Sequence, residues 1–382
     1  MKRYVFFILL GILVSCKRER PFQLDDCYLE ATGTIKSFSL DSDVRYNAFF
    51  LYVFREDDGK EYLSFLNHRS NQILFYDWKT TDFLFKIELD TEGPHGVVQP
   101  SGYYVKDFNN IYVSSYAYEG LIRVDTNACI VQKIPYGMTE DGYKVIPSYT
   151  PSSQPYVAPF FHDGKMYIIQ NDADHLFPIA QTPLTVSIDT TCCKYEGSLQ
   201  TYGVLSEDVL ASKNMKFSRI FDGKQLIYSF FTDEDIFVVS ADQKETKKIK
   251  VKSQYISDPS IPQKSGPEGP RSNLEVARYG NLIYDPYREV YYRFAYPKTV
   301  LKDDMNWWGK AVYGRKKFSV IILDKEFNVI GETLFPEAVY NSYVFFVHED
   351  GLYISRDYQM LYEQSEDYMT FELFSLKRNV SK

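Results

Sequence analysis

The chain has 382 residues, of which 45% are hydrophobic, 25% charged and 17% aromatic, so it can bury a large core and is not a disordered tail. Its formal net charge of −8 argues against nucleic acid as a partner, because proteins that bind nucleic acids need a basic surface. The 33 Tyr and 28 Phe residues, together with many short alternating runs, favour strands over helices. The composition therefore predicts a folded, β-rich protein.

The first residues of the chain have the pattern of a bacterial lipoprotein signal. Two basic residues precede an apolar run over residues 4–14, and the tetrapeptide Leu-Val-Ser-Cys closes it at Cys16. The run is shorter than the ~20 residues that a membrane-spanning helix needs, and a small residue directly before Cys16 suits cleavage there. We therefore expect a lipoprotein signal peptide over residues 1–15, lipidation of Cys16, and a lipid-anchored tether over residues 16–26. An uncleaved anchor or an ordinary secretory signal is the alternative.

This signal predicts a location in the bacterial cell envelope. We expect the N-terminal lipid to hold the protein in the outer membrane, with the domain facing either the periplasm or the cell surface. The periplasmic side of the inner membrane is the alternative. The membrane is then one partner of the protein.

Four cysteines follow Cys16 in the sequence. Exported proteins can form disulfides, but four cysteines in so long a chain do not make a disulfide framework. We expect buried thiols, mostly outside disulfides, at Cys27, Cys129, Cys192 and Cys193.

Residues 27–382 contain a unit of four short strands that recurs six times and predicts a single domain. Each copy has an apolar strand, a tight turn, a Tyr- and Phe-rich strand, a loop, a strand that often ends in Asp, and a fourth strand. Four copies have Asp-Gly in the first turn, which suits the positive φ angles of hairpin turns. Four antiparallel strands repeated about every 50 residues are typical of a β-propeller, because each sheet buries its faces against its neighbours. The expected blades are residues 45–92, 93–136, 155–201, 215–253, 273–336 and 339–381.

The sixth unit offers three strands, and a spare strand precedes the first unit. The three strands lie near residues 343–347, 352–357 and 370–376, and the spare alternating segment covers residues 33–40. Pairing the spare strand with the sixth unit closes the ring and removes two exposed sheet edges. We therefore expect an all-β fold, a six-bladed β-propeller of four-stranded blades with an N-terminal strand completing the last blade. One or two β-sandwiches are the alternative.

In these features the sequence resembles a family of uncharacterised bacterial lipoproteins with TolB-like six-bladed β-propellers. The resemblance spans the mature chain and rests on the lipobox that ends at Cys16, the blade count, and the richness in Tyr and Asp-Gly. The Trp-Asp dipeptide of WD40 blades and the Tyr-Trp-Thr-Asp pattern of receptor propellers are absent from the sequence. The resemblance implies a fold and a cellular location, and it implies no activity.

Every long insertion is expected on one face of the ring. In a propeller, the loops that join the second strand to the third and one blade to the next emerge on the same face. The long connections all belong to these two kinds, and they cover residues 137–155, 171–183, 254–273, 298–316 and 358–368. Long loops in a compact domain are usually functional. We therefore expect this long-loop face, with the mouth of the central channel, to bind a ligand.

The candidate ligand-binding residues are aromatic, charged and amide side chains on these loops and near the starts of the innermost strands. Aromatic faces stack on flat groups, whereas carboxylates and amides form directional hydrogen bonds, so we expect a glycan, a peptide or an envelope protein as the partner. An arginine inside the channel is expected either to be neutralised structurally or to hold an anion. The candidates are Tyr156, Arg219, Arg271, Glu275, Trp307, Trp308 and Asn341.

Common catalytic motifs are absent from the sequence, which favours a binding function without a cofactor over catalysis. The sequence contains no GxSxG, HExxH, GxGxxG or Walker A motif. The enzyme alternative is a lactonase- or esterase-like propeller in which a channel Ca²⁺ polarises a substrate ester. Asn47, Glu275 and Asn341 could be the ligands of that ion.

Overall fold

The computed structural model of the chain consists almost entirely of strands. The residues that it describes are 26–41, 44, 50–94, 96–140, 142, 154–170, 183–201, 216–240, 245–259, 269–301, 314–358 and 367–379. They form 24 strands and one short helix, α1 (Gly269–Glu275). Within these ranges, no helix has the length and apolar character needed to cross a membrane.

The strands form six four-stranded antiparallel sheets. The first strand in the chain is β1 (Cys27–Ser39). Blade 1 contains β2 (Leu51–Arg55), β3 (Glu61–Asn67), β4 (Gln72–Asp77) and β5 (Phe83–Glu88). Blade 2 contains β6 (Pro100–Asp107), β7 (Asn110–Ser115), β8 (Tyr118–Val124) and β9 (Ile130–Pro135). Blade 3 contains β10 (Phe160–His162), β11 (Lys165–Ile169), β12 (Pro183–Asp189) and β13 (Lys194–Thr201). Blade 4 contains β14 (Phe217–Phe221), β15 (Gln225–Phe230), β16 (Asp235–Ser240) and β17 (Thr246–Lys250). Blade 5 contains β18 (Arg278–Asp285), β19 (Val290–Tyr296), β20 (Ser319–Leu323) and β21 (Val329–Leu334). Blade 6 contains β22 (Asn341–His348), β23 (Gly351–Ser355) and β24 (Tyr368–Arg378).

This order confirms the predicted all-β, six-bladed β-propeller, and the burial of its strands follows from the stacking of blades. Middle strands such as β19 and β20 are buried along their whole length, because a blade is covered on both faces by its neighbours. The fourth strands β5 and β17 are largely exposed. Strand β17 carries three lysines, which protects an outer sheet edge from pairing with another chain.

The Asp-Gly turns between first and second strands have the expected backbone conformation. Gly59 and Gly223 have φ angles of +85° and +93°. In blade 3, Asp163 and Gly164 have φ angles of 49° and 77°, so both central residues of the turn are left-handed. Two left-handed residues match the twist of the flanking strands in a tight hairpin.

The predicted ring closure is confirmed. In the last blade the strand order is β1-β24-β23-β22, and β1 pairs antiparallel with β24 from Cys27 opposite Arg378 to Ser39 opposite Tyr368. The closing strand begins six residues before the expected residue 33. A bulge near Gly33 interrupts the alternation of the sequence between the two halves of β1, which is why the first half was missed.

The core lies between adjacent blades and combines aliphatic side chains with many aromatic rings. Phe294 of blade 5 stacks on Phe345 of blade 6 with ring centroids 4.3 Å apart. Phe160 of blade 3 and Phe221 of blade 4 stack at 4.4 Å. Such pairs contribute about 0.5–1.5 kcal/mol beyond the burial of their area, so these two help to hold blade 5 to blade 6 and blade 3 to blade 4.

The four cysteines that the structure describes are thiols and do not form disulfides. Cys27 is buried, as expected, but Cys129 and Cys192 are exposed, so the prediction of burial is wrong for these two. The reason is that they lie in the turns before the fourth strands, where the backbone N–H of each is bound by the carboxylate of the preceding Asp125 or Asp189.

Candidate functional site

The first strands of the blades line the central channel of the ring. Strand β2 contacts β6 and β22, and β18 contacts β14 and β22. Each first strand runs from the long-loop face to the face that carries the Asp-Gly hairpin turns, which we call the turn face. The channel therefore has one mouth on each face.

Three arginines lie close together at the long-loop mouth, and we call Arg271, Arg278 and Arg315 the arginine cluster. Arg278, the first residue of β18, donates from Nη1 to Oδ1 of Asn273 at 3.1 Å and from Nη2 to the Tyr343 hydroxyl at 3.4 Å. Arg315 donates to the backbone carbonyl oxygen of the same Asn273. Side chains from α1, β18 and β22 thus meet at one place.

The guanidinium groups of Arg278 and Arg315 are almost completely buried and are not fully hydrogen-bonded. These residues are 5% and 1% exposed, and the Nε of each has no hydrogen-bond partner in the described structure. Burial, and after it the charge of Arg278, lowers the pKa of Arg315 to about 9. The nearby Glu275 carboxylate is already engaged, because it pairs with Arg271 at 3.2 Å and accepts a hydrogen bond from the Leu301 N–H at 2.9 Å. Among the described residues, this mouth therefore carries an excess of positive charge.

Four of the predicted site residues lie around this cluster. Arg271 and Glu275 are paired on α1. Burial and the nearby Tyr343 raise the pKa of the Tyr156 hydroxyl, and Asn341 Oδ1 accepts a hydrogen bond from the Tyr343 N–H at 2.9 Å. Four further predicted positions lie outside the described residues, namely Cys16, Asn47, Trp307 and Trp308.

The two most buried arginines of the cluster, Arg278 and Arg315, were missed by the sequence reasoning. We expected the first strand of blade 5 to begin near residue 273, with Glu275 lining the channel. Residues 269–275 instead form α1, which ends with a hydrogen bond from the Val276 N–H to the Ser272 carbonyl, so β18 begins at Arg278. The start of an innermost strand was the correct signal, but it was placed five residues too early. No local pattern marks Arg315.

A cavity of about 410 Å³ occupies the channel towards the turn face, and we call it the turn-face chamber. Ile283 and Tyr284 near the end of β18 line it, together with Pro286 and Tyr287 of the following turn. Further walls come from β2, β10, β14 and β22. Tyr287 is 53% exposed and marks the rim of the chamber.

Arg219, the predicted channel arginine, lines this chamber. It is the third residue of β14 and is completely buried. Its Nη2 donates to the Ala158 carbonyl at 2.8 Å, and the Phe160 ring centroid lies 5.0 Å from its Cζ. Its Nε and Nη1 have no partner within the part of the chain that the structure describes. Burial lowers the pKa of Arg219 to about 10, so it is still protonated at neutral pH.

Two of the three residues predicted as Ca²⁺ ligands, Glu275 and Asn341, are described by the structure, and their surroundings do not favour a cation. Glu275 is paired with Arg271, and the Asn341 amide oxygen is bound by a backbone N–H. The buried positive charges of Arg278 and Arg315 lie beside them and repel a Ca²⁺ ion. Across the described ranges, no group of three or more His, Cys, Asp or Glu side chains could hold a metal ion.

Comparison with known proteins places the chain in a family. No curated protein sequence matches it. A member of the DUF4221 family from Bacteroides vulgatus ATCC 8482 has a solved structure that is 24% identical, covering 94% of this chain and 100% of that chain with a TM-score of 0.75. A protein from Bacteroides fragilis NCTC 9343 described as exported is 11% identical, covering 92% of this chain and 96% of that chain with a TM-score of 0.53. The family model with the description "Domain of unknown function (DUF4221)" matches residues 29–334, which is most of the chain, so this β-propeller belongs to the DUF4221 family.

Proposed function

We propose that this protein is a lipid-anchored, extracytoplasmic β-propeller that binds an anionic ligand at the arginine cluster. The observation that carries the proposal is the pair of buried guanidinium groups of Arg278 and Arg315, whose Nε atoms have no partner in the described structure. Like charges repel more strongly where water is excluded, so two neighbouring buried cations favour an anion beside them. A carboxylate, sulfate or phosphate group supplies both the charge and the acceptors that these donors lack.

The anionic group is carried by a glycan, a peptide or an envelope protein in this proposal, and no cofactor is needed. Tyr156 and Tyr343 lie beside the cluster, and in this proposal their rings supply surface for stacking. The Tyr156 hydroxyl donates to Gln154 Oε1 at 2.8 Å, and the Tyr343 hydroxyl accepts from Arg278. Trp307 and Trp308 on the adjacent insertion are expected to extend this aromatic surface. Charge selects the ligand, and the rings add contact area.

The binding test compares the ligand affinity of two variants, one at a buried arginine of the cluster and one at an exposed arginine on the turn face. Arg278→Gln keeps a polar side chain and removes the charge, so we expect acidic glycans or peptides to bind at least about tenfold more weakly in calorimetry. Neutral analogues should be little affected. The control is Arg55→Gln, which removes an exposed arginine paired with Glu61 on the turn face and should leave affinity unchanged. Equal affinities of Arg278→Gln and the unchanged protein contradict the proposal.

The sequence pattern that ends at Cys16 is the reason for proposing a lipid anchor. The exported description of the structural neighbour from Bacteroides fragilis supports it, and the blade count supports a TolB-like ring. We expect Cys16→Ala to leave the membrane fraction or to accumulate as unprocessed precursor. Cys129→Ala, which removes an exposed thiol, should leave fractionation and mass unchanged. Unaltered fractionation and mass in Cys16→Ala argue against the anchor.

The calcium-dependent lactonase or esterase alternative is assayed on the same protein. Lactone and ester substrates with added Ca²⁺ test it directly. Turnover that disappears in Glu275→Gln or Asn341→Ala favours hydrolysis. Ligand binding without turnover favours the binding function.

A further inference from the structure

We propose that the turn-face chamber is a second binding site, which holds a small organic carboxylate with an apolar body through a hydrogen bond from Arg219. The chamber opens at the other mouth of the channel from the arginine cluster. It is therefore a separate site from the one proposed above, and its ligand differs in size and polarity.

Arg219 and Arg293 are both fully buried, but they differ in their hydrogen bonds. The Arg293 guanidinium donates to three backbone carbonyl oxygens at 2.6 to 2.8 Å and to the Ser229 hydroxyl at 3.0 Å. Those contacts tie blade 5 to blade 4, so Arg293 is a structural residue. The Arg219 guanidinium makes one hydrogen bond, to the Ala158 carbonyl oxygen, and two of its nitrogens have no partner in the described structure. A buried charge with unmet donors destabilises a fold, and a ligand acceptor removes that penalty.

The walls of the chamber restrict the chemistry of the ligand. Arg219 is the one charged residue among the described residues that line it. The others are aliphatic, aromatic or proline, and they include three tyrosines, Tyr52, Tyr284 and Tyr287. A single cation within mainly apolar walls matches a single carboxylate on an apolar body. A dianion would leave one of its charges without a partner. The volume of about 410 Å³ falls within the roughly 300–1,000 Å³ of small-molecule sites.

The ligand enters past the rim at Tyr287 and meets the Phe160 ring, which lies over the Arg219 guanidinium. Because no part of Arg219 is exposed, the carboxylate reaches it when this ring moves aside. Side-chain rearrangements of this kind are common on binding, even where the backbone stays fixed.

The test uses 2-naphthoate as the probe and 2-naphthamide as its uncharged match. Both are titrated calorimetrically into the purified full chain. We expect the acid to bind at least about tenfold more tightly than the amide, because a charged acceptor forms the stronger hydrogen bond with arginine. Arg219→Met should lose this preference. Absence of 2-naphthoate binding, equal binding of the two probes, or an unchanged preference in Arg219→Met overturns the proposal.

Thermal unfolding separates a binding role of Arg219 from a structural one. We expect Arg219→Met to melt at an unchanged or higher temperature, because an apolar side chain replaces a buried, poorly satisfied charge. The matched variant Arg293→Met should melt several degrees lower, because it leaves three carbonyl oxygens without their donor. A comparable loss in Arg219→Met shows a structural arginine and overturns the proposal.

Two further variants complete the test. Arg219→Lys keeps the charge, and it should still prefer the acid over the amide; loss of that preference contradicts the proposal. Arg278→Gln weakens anion binding at the arginine cluster, so a preference for the acid that remains in this variant and disappears in Arg219→Met belongs to the chamber. The result for the chamber is therefore distinguishable from the result for the arginine cluster.

Discussion

Buried arginines show how surroundings give one residue type three different roles. Arg293 is saturated by backbone carbonyls and fixes one blade against the next. Arg315 holds the backbone at the end of α1 and adds charge to the long-loop mouth. Arg219 keeps two nitrogens without partners in the described structure. Because burial removes the hydration of a guanidinium in every case, the count of compensating hydrogen bonds distinguishes structure from binding.

Gly331 allows the closing strand to approach blade 5. A Cβ at this position would overlap the backbone carbonyl of Cys27 in β1. We expect Gly331→Ala to lower the free energy of unfolding by about 1–3 kcal/mol, because β1 must shift away from β21. Urea denaturation measures the effect. Leu334→Ala, an exposed position on the same strand, should change it much less, and equal effects of the two variants contradict this contact.

At the scale of elements, the Asp that ends the third strand specifies the turn to the fourth. In four blades its carboxylate accepts two backbone N–H hydrogen bonds at 2.8 to 3.3 Å. The four residues are Asp77, Asp125, Asp189 and Asp324. Hydrogen bonds from Thr191 and Cys192 lower the pKa of Asp189 to about 2. The Asp that marks the repeat in the sequence therefore has a local structural cause.

A second element-scale contact joins the first and last blades at the turn face. Glu61 Oε2 lies 3.0 Å from His348 Nε2, and Glu61 Oε1 lies 2.8 Å from Arg55 Nη2. Burial raises the pKa of Glu61, but the hydrogen bonds with His348 and Arg55 outweigh burial and hold it below its usual 4.5. The charged form of Glu61 therefore stabilises the junction between the blades.

We expect Glu61→Gln to destabilise the protein by about 1–2 kcal/mol at neutral pH. Because the folded pKa is lowered, the stabilisation is present above pH 4.5 and disappears as the pH falls through the folded pKa. Urea denaturation at neutral and at low pH measures the difference from the unchanged protein. Glu88→Gln, which removes an exposed ion pair with Lys86, should have little effect at either pH. A difference for Glu61→Gln that persists undiminished at low pH argues against the charge as its cause.

For the whole molecule, the closing strand determines whether the ring is complete. Strand β1 pairs with β24 and also donates from the Leu29 N–H to Thr333 Oγ1 of blade 5 at 2.8 Å. Its Phe38 is fully buried against blade 1 and blade 6 residues. One strand thus links the last blade to both of its neighbours.

Deletion of residues 27–41 should lower the melting temperature of the entire ring, because blade 6 loses a strand and exposes the edge of β24. Phe38→Ala tests the same contact without removing backbone, and we expect a loss of about 3–5 kcal/mol in the free energy of unfolding. Ile35→Ala, at a position that is 39% exposed on the same strand, should cost far less. A truncated chain that keeps its melting temperature contradicts this role of β1.

The fold could be predicted from the sequence more completely than the candidate site. The number of blades and the pairing of a closing strand with blade 6 were predictable, because alternation and Asp-Gly turns mark each unit in the sequence. The position of Arg278 was not, because α1 takes up three residues that the pattern assigned to a strand. The candidates Tyr156, Arg271, Glu275 and Asn341 were chosen from their places in loops and strand starts, and the structure brings them to one mouth of the channel.

The sequence by itself determined the number of blades, the order of their strands and the completion of the sixth blade by β1. The number of blades and the order of their strands follow from patterns within about 50 residues, where apolar alternation and turn residues act on the neighbouring backbone. The completion of the sixth blade follows from counting strands, because one strand is missing from the last unit and one is spare before the first. Only the tertiary structure decided that Arg278 and Arg315 share one mouth and that Arg219 lines a chamber at the other. Whether a buried charge finds its hydrogen bonds depends on backbone from other blades, far away in the chain, and no local pattern records that geometry.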